Sequence, residues 1–330
     1  MIEDRRTGAR MLAFAGIATL SVLATSTAAA QSYPTRSIRM IVPFPAGGSV
    51  DVLGRAVADK LSASLGQPVV ADNRVGANGT IAHHAVATAV ADGYTIGMSG
   101  TSPLVLAPHQ FKDLPYDPTK DFAYLACAGT TPFVIGVHPS LPVKNVQELV
   151  AYAKANPGKL NFGSAGMGNS AHLSAELFKR AAGVDMTHVP YKGNALAMQD
   201  LIAGNIQVLF DPVQTSIPQI QSGRVRPIAV TSKSRFAELP DLPTVAESGY
   251  PSYEFVVWYA FVAPASTPAP IVARLNAEIN KAVSDPELRK KFAALGADLT
   301  VSRPDECTGF VKGELTAWGK LMAEVGIRKE

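Results

Sequence analysis

Short apolar runs alternate with longer amphipathic stretches along most of the chain. In its first part, the apolar runs 37–44, 67–74 and 94–100 predict strands, and the amphipathic stretches 49–66 and 79–93 predict helices between them. Repeated strand, helix and strand units favour a parallel sheet with helices on both faces. The hydrophobic pattern therefore predicts an α/β fold.

The alternation starts again after a proline-rich connection at 114–120. Two apolar runs, 122–129 and 132–139, predict two separate strands there. The pattern then predicts helices at 145–158 (with Asn145 as N-cap), 170–183, 194–204 and 217–223, and strands at 159–166, 187–191, 206–212 and 226–232. After a strand at 258–264 it predicts helices at 269–285, at 286–296 and from 304 onwards. The chain is therefore predicted to hold two α/β units.

Each unit contains a glycine-rich loop between a strand and a helix. The first loop, "VPFPAGGSVD", places Gly47, Gly48 and Ser49 before a predicted helix. Backbone N–H groups of such a turn, together with the helix dipole, can hold an anion. A plain strand-to-helix turn with Ser49 as a structural N-cap explains the loop chemistry equally well. The chain lacks G-x-G-x-x-G and the P-loop pattern, which argues against a nucleotide phosphate.

The second loop, "NFGSAGMGNSAHL", offers hydroxyl and amide groups at Ser164, Asn169 and Ser170, with Gly166 and Gly168 between them. Such groups can satisfy several lone pairs of a carboxylate without a cation. Because a matching loop exists in the other unit, the two loops could close on one small ligand.

Polar residues also follow two apolar strands where open α/β sheets bind ligands. Asp211 follows "IQVLF" and could accept a hydrogen bond from a ligand, or it could cap the next turn; we favour the first role. Thr101 and Ser102 follow another strand and are candidate ligand contacts by the same argument. Trp258 and Tyr259 could line a pocket, although core packing explains at least one of them better.

Catalytic and metal-binding patterns are weak in this sequence. Ser170, His172 and Asp211 have the residue types of a hydrolase triad, but Ser170 and His172 lie two residues apart on a helix and point about 200° away from each other. His83 and His84 are adjacent and therefore face different sides of a helix, which is not a zinc spacing. We therefore predict no catalytic residues, no bound metal and no cofactor.

Composition and charge limit the function further. The chain has 330 residues with 47% hydrophobic and 17% charged residues, which is typical of a globular protein. Its net charge is +3 and its basic residues are scattered, so nucleic acid is not an expected partner. Residues 1–30 combine three arginines, the apolar run "MLAFAGIATLSVLA" and small residues, which predicts a signal peptide cleaved near Ala30/Gln31. The mature protein is therefore expected outside the cytoplasm.

Two cysteines, Cys127 and Cys307, stand far apart in the sequence. Outside the cytoplasm such a pair can form a disulfide. Because no spacing pattern supports a pairing, we favour two independent buried thiols.

Several segments together resemble the substrate-binding receptors of tripartite tricarboxylate transporters, also called Bug receptors. The resemblance follows, in order and spacing, "IVPFPAGGSVDVLGR", "ADNRVGANGTIA", "ADGYTI", "YAKANPGKLNFGSAGMGNSAHL", "HVPYKG", "LPDLPTVAESGYP" and "ASTPAPIVARLN". It covers essentially the whole mature chain, and the combination is specific although each segment alone is not.

This resemblance implies a periplasmic binding protein fold, type II-like, with a ligand cleft between two α/β domains. Domain 1 would comprise 32–130 and 255–330, and domain 2 would comprise 131–254. The implied ligand is a small organic carboxylate such as a di- or tricarboxylate, an acidic amino acid or an aromatic acid. The implied partners are the membrane permease subunits of a tripartite transporter, or a sensor kinase to which the protein presents its ligand. The implied location is the periplasm.

The resemblance also assigns the ligand-binding residues. Backbone N–H groups of the first loop would hold a carboxylate, at Phe44, Ala46, Gly48 and Ser49. The second loop would add donors at Ser164, Gly168, Asn169 and Ser170. Asp211 would help to select the rest of the ligand, and Thr101 is retained from the strand-end argument. The remaining alternative from another functional class is a secreted hydrolase that uses Ser170 and His172.

Overall fold

The computed structural model describes residues 33–236 and 239–324, in which strands and helices alternate as expected. The first elements are β1 (Ile38–Val42), α1 (Ser49–Leu65), β2 (Val69–Asn73), α2 (Thr80–Ala87), β3 (Thr95–Gly100), α3 (Ala107–Gln110) and β4 (Phe122–Val137). They are followed by α4 (Val146–Ala155), β5 (Asn161–Ser164), α5 (Ser170–Ala182), β6 (Thr187–Pro190), α6 (Asn194–Ala203), β7 (Val208–Pro212), α7 (Val213–Gln221) and β8 (Arg226–Val230). The last are β9 (Val256–Pro264), α8 (Ala269–Val283), α9 (Pro286–Ala294), β10 (Asp298–Leu299) and α10 (Pro304–Glu324). The predicted signal peptide and its cleavage site lie outside the described residues.

The strands form one sheet with the order β2-β1-β3-β9-β4-β7-β5-β6, and β8 and β10 also pair with β4. β1 runs parallel to β2 and β3, and β5 runs parallel to β6 and β7. β9 runs antiparallel to both β3 and β4. We call β2, β1, β3, β9 and the start of β4 the first half of the sheet, and the end of β4 with β7, β5 and β6 the second half. The predicted α/β class with two parallel units is confirmed. Within the described ranges, no helix combines the length and the apolar character needed to cross a membrane.

A single strand, β4, replaces the two strands that the sequence predicts at 122–129 and 132–139. Its first part pairs with β9 as far as Pro132, and its second part pairs with β7 from Phe133 onwards. Proline has no N–H to donate, and at this change of partners the missing donor interrupts the hydrogen-bonding ladders least. The prediction of two strands was therefore wrong, because Pro132 marks a change of partner and not a break. The predicted domain boundaries at 130/131 and 254/255 remain a prediction.

Thr231 ties β4 to the chain segment that returns towards β9. Its N–H donates to the carbonyl of Phe133 at 2.9 Å, and its hydroxyl accepts from the Phe133 N–H at 2.7 Å. The same hydroxyl donates to the carbonyl of Phe255 at 2.6 Å, and the Phe255 N–H donates to the Thr231 carbonyl at 2.9 Å. Thr231 is fully buried, so these bonds form away from competing water. β4 and the segment that leads into β9 are the two places where the chain crosses between the halves. Thr231 therefore bonds these two chain crossings to each other.

Helix α1 places its N-terminus at the carboxyl end of β1. Leu53, Val57 and Leu61 recur at four-residue spacing and are fully buried, so one face of the helix packs on the sheet. At Gly54 a Cβ would lie 3.5 Å from a Met98 side-chain carbon, which shows how closely the helix approaches β3. The helix ends at Gly66, which adopts a left-handed conformation with φ 68°.

A helical segment at 102–110 has no counterpart in the sequence prediction. A π-helical turn, Ser102–Leu106, leads directly into α3. Leu104, Val105, Leu106 and Ala107 are all fully buried, so these four consecutive residues have no solvent-exposed side. Without an amphipathic period, the sequence pattern could not distinguish this helix from the end of a strand.

Cys127 and Cys307 form a disulfide, which corrects the expectation of two independent thiols. Cys127 lies on β4 and Cys307 lies in the first turns of α10, and their Cα atoms are 5.2 Å apart. Because 180 residues separate the two cysteines, sequence spacing carries no sign of this pairing. The bond attaches α10 to the first half of the sheet.

Removing this disulfide is expected to lower the free energy of unfolding by about 4 kcal/mol, because it closes a long loop in the unfolded chain. The variant is Cys127→Ala/Cys307→Ala, and urea unfolding with and without a reductant measures the effect. The unmodified protein should lose stability in reductant, whereas the variant should be unaffected by it. Equal stability of the two proteins in oxidising buffer would contradict the expectation.

Candidate functional site

A cavity of about 80 Å³ lies where the carboxyl ends of parallel strands from both halves of the sheet meet. The first loop, the residues after β3 and the second loop all contribute to its wall. The lining residues are Phe44, Pro45, Gly48, Ser49, Val50, Gly100, Thr101, Ser102, Pro103, Phe133, Ala165, Asn169, Ser170, Ala171, Asn194, Ala195, Pro212, Thr215, Val257, Trp258 and Tyr259. None of these residues carries a formal charge, and the volume accommodates several water molecules or a small organic group.

Several helices begin at this cavity, among them α1, α5 and α6. The first residues of α1, α5 and α6 line it, represented by Ser49, Ser170 and Asn194. The N-caps of α1 and α6 are Gly48 and Gly193, and neither makes a side-chain capping bond. First-turn N–H groups have no partner within their own helix, and the helix dipole is positive at this end. The starts of α1 and α6 can therefore offer backbone N–H donors at the cavity without any cationic side chain.

Buried polar groups support the first loop from behind. The Asp51 carboxylate accepts from the Gly47 N–H at 3.0 Å, from Arg55 Nε at 2.9 Å and from Asn73 Nδ2 at 2.8 Å. Asn73 Nδ2 also donates to the Phe44 carbonyl at 2.8 Å. Burial alone would raise the pKa of Asp51, but the bonds from Arg55, Asn73 and Gly47 lower it overall. Asp51 is therefore a charged anchor that fixes the loop and does not line the cavity.

Two stacked histidines support the second loop. The rings of His172 and His188 stack with centroids 4.0 Å apart. His172 Nδ1 accepts from the Gly168 N–H at 2.8 Å, and His188 Nε2 lies 2.6 Å from the Ser164 hydroxyl. Burial lowers the pKa of each histidine to about 4, so both rings are neutral at pH 7. A neutral His172 can accept the Gly168 hydrogen bond, which fixes the loop.

The serine at the start of α5 contacts the first half of the sheet. Ser170 Oγ lies 2.8 Å from Ser102 Oγ, and the Ser170 N–H donates to Ser102 Oγ at 3.1 Å. Both serines are buried and line the cavity. This pair bridges the two halves beside the candidate ligand site.

A second set of bonds crosses between the halves next to this serine pair. Asn78 Nδ2 donates to the Met167 carbonyl, and Gln110 Nε2 donates to the Gly168 carbonyl. Asn78 Nδ2 also lies 3.2 Å from Gln110 Oε1. We call the bonds of Asn78, Ser102 and Gln110 to the second loop the interloop contacts. They join the two halves of the sheet beside the cavity.

Asp211 lies one layer behind the cavity wall and does not line it. It is 1% exposed, and its carboxylate accepts from Asn194 Nδ2 at 2.9 Å, from Thr215 Oγ1 and from Ser216 Oγ at 3.0 Å. Burial raises the pKa of Asp211 to about 6, although these three hydrogen bonds oppose the shift. Because Asn194 and Thr215 line the cavity, the hydrogen bonds of Asp211 orient these two wall residues. Its bonds to Thr215 and Ser216 also stabilise the turn into α7.

Replacing Asp211 with Asn is expected to change how stability depends on pH. Between pH 4 and pH 6 the folded carboxyl binds more protons than the unfolded one, so its ionisation lowers the free energy of unfolding as the pH rises. The variant has no such group, so its stability relative to the unmodified protein should increase by about 2–3 kcal/mol from pH 4 to pH 7.

Urea unfolding of both proteins at several pH values between 4 and 7.5 measures this difference. The titrations of His83, His172 and His188 are present in both proteins and cancel in the comparison. A stability difference that does not vary with pH would contradict the raised pKa of Asp211.

The structure brings together most of the residues that the sequence assigns to the ligand. Those that line the cavity are Phe44, Gly48, Ser49, Thr101, Asn169 and Ser170. Of these, Asn169 already uses its side-chain oxygen to cap α5, by accepting from the His172 N–H at 2.9 Å. Direct contact of these residues with a ligand remains a prediction.

Four of the predicted residues lie elsewhere. Ala46 is exposed at the tip of the first loop, and Ser164 donates to the Gly166 carbonyl at 2.9 Å behind the second loop. Gly168 contacts Gln110, and Asp211 lies behind the cavity wall. These four residues do not line the cavity, and their direct contact with a ligand remains a prediction.

Sequence reasoning missed two polar residues of the wall, Asn194 and Thr215. Asn194 begins α6 after β6 and a short loop that ends in Gly193, and Ser49 and Ser170 likewise begin α1 and α5 after a strand and a loop that contains glycine. The same strand, loop and helix signal could therefore have identified it. Thr215 also lines the cavity, but it is the third residue of α7 and not the first. The signal of a polar residue at a helix start therefore does not identify it.

The structure does not assemble the triad considered from the sequence. Ser170 bonds to Ser102, His172 accepts from Gly168, and Asp211 accepts from three other side chains. The side chains of Ser170, His172 and Asp211 therefore have separate partners.

Comparison with known proteins agrees with this geometry. Residues 53–327 match the family described as the tripartite tricarboxylate transporter family receptor. The UPF0065 protein in the tcbD-tcbE intergenic region of Pseudomonas sp. strain P51 is 39% identical over 318 residues, covering 96% of this chain and 94% of the relative. The protein BugT of Bordetella pertussis is 37% identical over 320 residues, covering 97% and 98%.

Three solved structures resemble this chain over most of its length. An R. palustris protein determined with adipate has a TM-score of 0.88 and 36% identity, covering 90% of this chain and 100% of that chain. The periplasmic binding protein BugD has a TM-score of 0.87 and 35% identity, with coverage of 90% and 100%. MatC from Rhodopseudomonas palustris with bound malate has a TM-score of 0.83 and 31% identity, with coverage of 87% and 99%.

The predicted periplasmic binding protein fold is confirmed by these neighbours. The family match spans most of the chain, and the full-length relatives exceed 30% identity. The chain belongs to the tripartite tricarboxylate transporter family of solute-binding receptors.

Proposed function

We propose that this receptor captures a small organic carboxylate in the cavity and delivers it to the membrane permease subunits of a tripartite transporter. Capture occurs in the periplasm, to which the predicted signal peptide directs the chain. The carboxylate lies against the starts of α1, α5 and α6, and the two halves of the sheet close around it.

One observation carries this proposal: the N-termini of α1, α5 and α6 converge on a cavity that no charged side chain lines. The first-turn N–H groups of α1 and α6, whose glycine N-caps provide no side-chain acceptor, favour a carboxylate, and a helix terminus stabilises an anion most strongly where water is excluded. Ser49, Ser102 and Ser170 add hydroxyl groups within the same cavity. A cavity of this kind binds an anion without holding a permanent counter-charge, which favours reversible capture.

The same wall supports binding without catalysis. A catalytic site needs a base, an acid or a metal within reach of the reacting atoms. The residues that line the cavity include neither an acid nor a histidine, and the nearby His172 and Asp211 bond to protein groups. We therefore infer that the ligand leaves the cavity chemically unchanged.

Neighbouring structures support a carboxylate as the ligand class, since the titles of two of them name adipate and malate. Both compounds are linear dicarboxylates with short chains. The apolar part of the wall, which includes Phe133, Pro212 and Val257, suits the carbon chain of such an acid.

A thermal-shift screen tests the proposal. Mono-, di- and tricarboxylates, acidic amino acids and aromatic acids are compared with neutral sugars and amines at equal ionic strength. A ligand present at a hundred times its dissociation constant stabilises the folded state by about 2.7 kcal/mol, which raises the melting temperature measurably. Calorimetry then gives the affinity, and mass spectrometry of the recovered compound checks that it is unaltered. Stabilisation by neutral solutes alone, or conversion of the acid, would overturn the proposal.

A further inference from the structure

We propose that Lys192, in a second cavity beside the first, binds the distal carboxylate of a linear dicarboxylate. This inference rests on the proposed function, because it requires that the other carboxylate lies at the helix N-termini of the first cavity. It narrows the ligand from small carboxylates in general to acids with an anionic group at each end.

The second cavity measures about 200 Å³ and lies directly beside the first. Its lining residues are Phe44, Gly76, Ala77, Asn78, Gly79, Phe111, Ala165, Gly166, Met167, Tyr191 and Lys192. Phe44 and Ala165 line both cavities. The two cavities are therefore adjacent, and the proposal places one end of the ligand chain in each.

Lys192 is the one charged residue among those that line either cavity. Its side chain is exposed, and among the described residues no carboxylate forms an ion pair with it. A lysine ammonium provides three hydrogen-bond donors and no acceptor. The two cavities thus differ in chemistry: the first holds an anion with neutral donors, and the second offers a full positive charge.

The backbone on both sides of Lys192 is held in place. The Tyr191 N–H donates to the Ser164 carbonyl at 2.9 Å, and the Tyr191 hydroxyl donates to Asp200 at 2.7 Å. On the other side, a Cβ at Gly193 would lie only 2.7 Å from Pro45 Cγ, so the glycine packs directly against the first loop. Lys192 is therefore presented beside Phe44 by a fixed backbone, although its own side chain is long and flexible.

A dicarboxylate with a flexible methylene chain fits this arrangement better than a compact acid. Its proximal carboxylate would bond at the starts of α1 and α5, its methylene groups would contact Phe44 and Ala165, and its distal carboxylate would meet Lys192. A short diacid would leave its second charge near Phe44 without a donor, where partial burial disfavours it. On this proposal we expect heptanedioate to bind more tightly than butanedioate.

Calorimetric titration with matched pairs of acids tests this prediction. The probes are heptanedioate with heptanoate and butanedioate with butanoate, and the proteins are unmodified, Lys192→Met and Lys154→Met. Lys154 is exposed on α4 and lines neither cavity, so it controls for the loss of one positive charge. Lys192→Met should weaken heptanedioate binding about tenfold or more and leave heptanoate binding unchanged. Lys154→Met should change neither.

Other results separate the two proposals. If Lys192→Met weakens heptanedioate and heptanoate equally, or weakens neither, the inference is wrong while carboxylate capture stands. If the unmodified protein binds none of these acids or those of the wider screen, the proposed function fails and the inference fails with it. Melting curves of each variant confirm that the lysine replacements leave the fold intact.

Discussion

Replacing Gly48 with Asp is expected to abolish carboxylate binding while the protein remains folded. Gly48 is the N-cap of α1, with φ −73° and ψ 161°, a conformation that aspartate adopts readily as an N-cap. A Cβ at this position would have the Pro45 carbonyl oxygen as its nearest neighbour, at 3.4 Å, so the new side chain fits with little adjustment. Its carboxylate would accept from the first-turn N–H groups of α1 and take the place proposed for the ligand.

The expected loss of affinity exceeds about a hundredfold, because the variant loses the donors and also places a negative charge beside the incoming acid. The free energy of unfolding should stay the same or rise by a few tenths of a kcal/mol, since Asp is a better N-cap than Gly. Titration calorimetry with an acid from the thermal-shift screen measures the affinity, and urea unfolding measures the stability.

Gly48→Asn is the matched control, because asparagine has nearly the same shape and capping ability without the charge. It should weaken binding less than Gly48→Asp does. Unchanged affinity of a normally folded Gly48→Asp protein would show that the ligand does not bind at the start of α1. Equal losses in both variants would assign the effect to occupied donors and not to charge.

The second large effect is expected from Gly168→Ala, which should weaken ligand binding about tenfold or more by disfavouring the closed state. Gly168 has φ +67°, and a Cβ there would overlap the side-chain amide of Gln110. Because Gln110 Nε2 donates to the Gly168 carbonyl, the methyl group would meet the interloop contacts themselves. Opening the cavity would relieve this overlap, so the substitution acts on closure more than on folding.

Gly183→Ala provides the control for backbone strain. Gly183 ends α5 with φ +62°, and no atom lies within 4 Å of a Cβ built there. Both substitutions place alanine in the left-handed region, which costs about 1 kcal/mol or more in each case. Only Gly168→Ala should weaken binding and enlarge the radius of gyration measured by small-angle X-ray scattering in the presence of ligand. Equal affinities of the two variants would mean that the interloop contacts do not govern closure.

Local signals predicted the fold well where a single element decided the outcome. Asn145 was predicted to cap a helix, and its side chain accepts from the Glu148 N–H at the start of α4. The glycine-rich loops were placed correctly between strand and helix, since turn chemistry and the change of period are both local. Six of the predicted ligand residues line the cavity for the same reason.

Features that depend on distant parts of the chain could not be predicted from local signals. The disulfide joins residues that only the packing of α10 on β4 brings together. Asp211 was placed at the correct strand end, but its depth depends on Asn194 and Thr215, which lie in front of it. Sequence patterns indicate which end of a strand a residue occupies, whereas tertiary packing decides whether it reaches the surface of a cavity.

Thr231 has a mechanical consequence for the receptor. Since it bonds Phe133 on one crossing to Phe255 on the other, a bend of one crossing would also move the other. Two extended segments that are hydrogen-bonded side by side would bend together more easily than they would twist or slide past each other. The two halves of the sheet would then move relative to each other along one path and return to the same alignment each time. Ser102 and Ser170 would therefore come back into hydrogen-bonding distance after every release of the ligand.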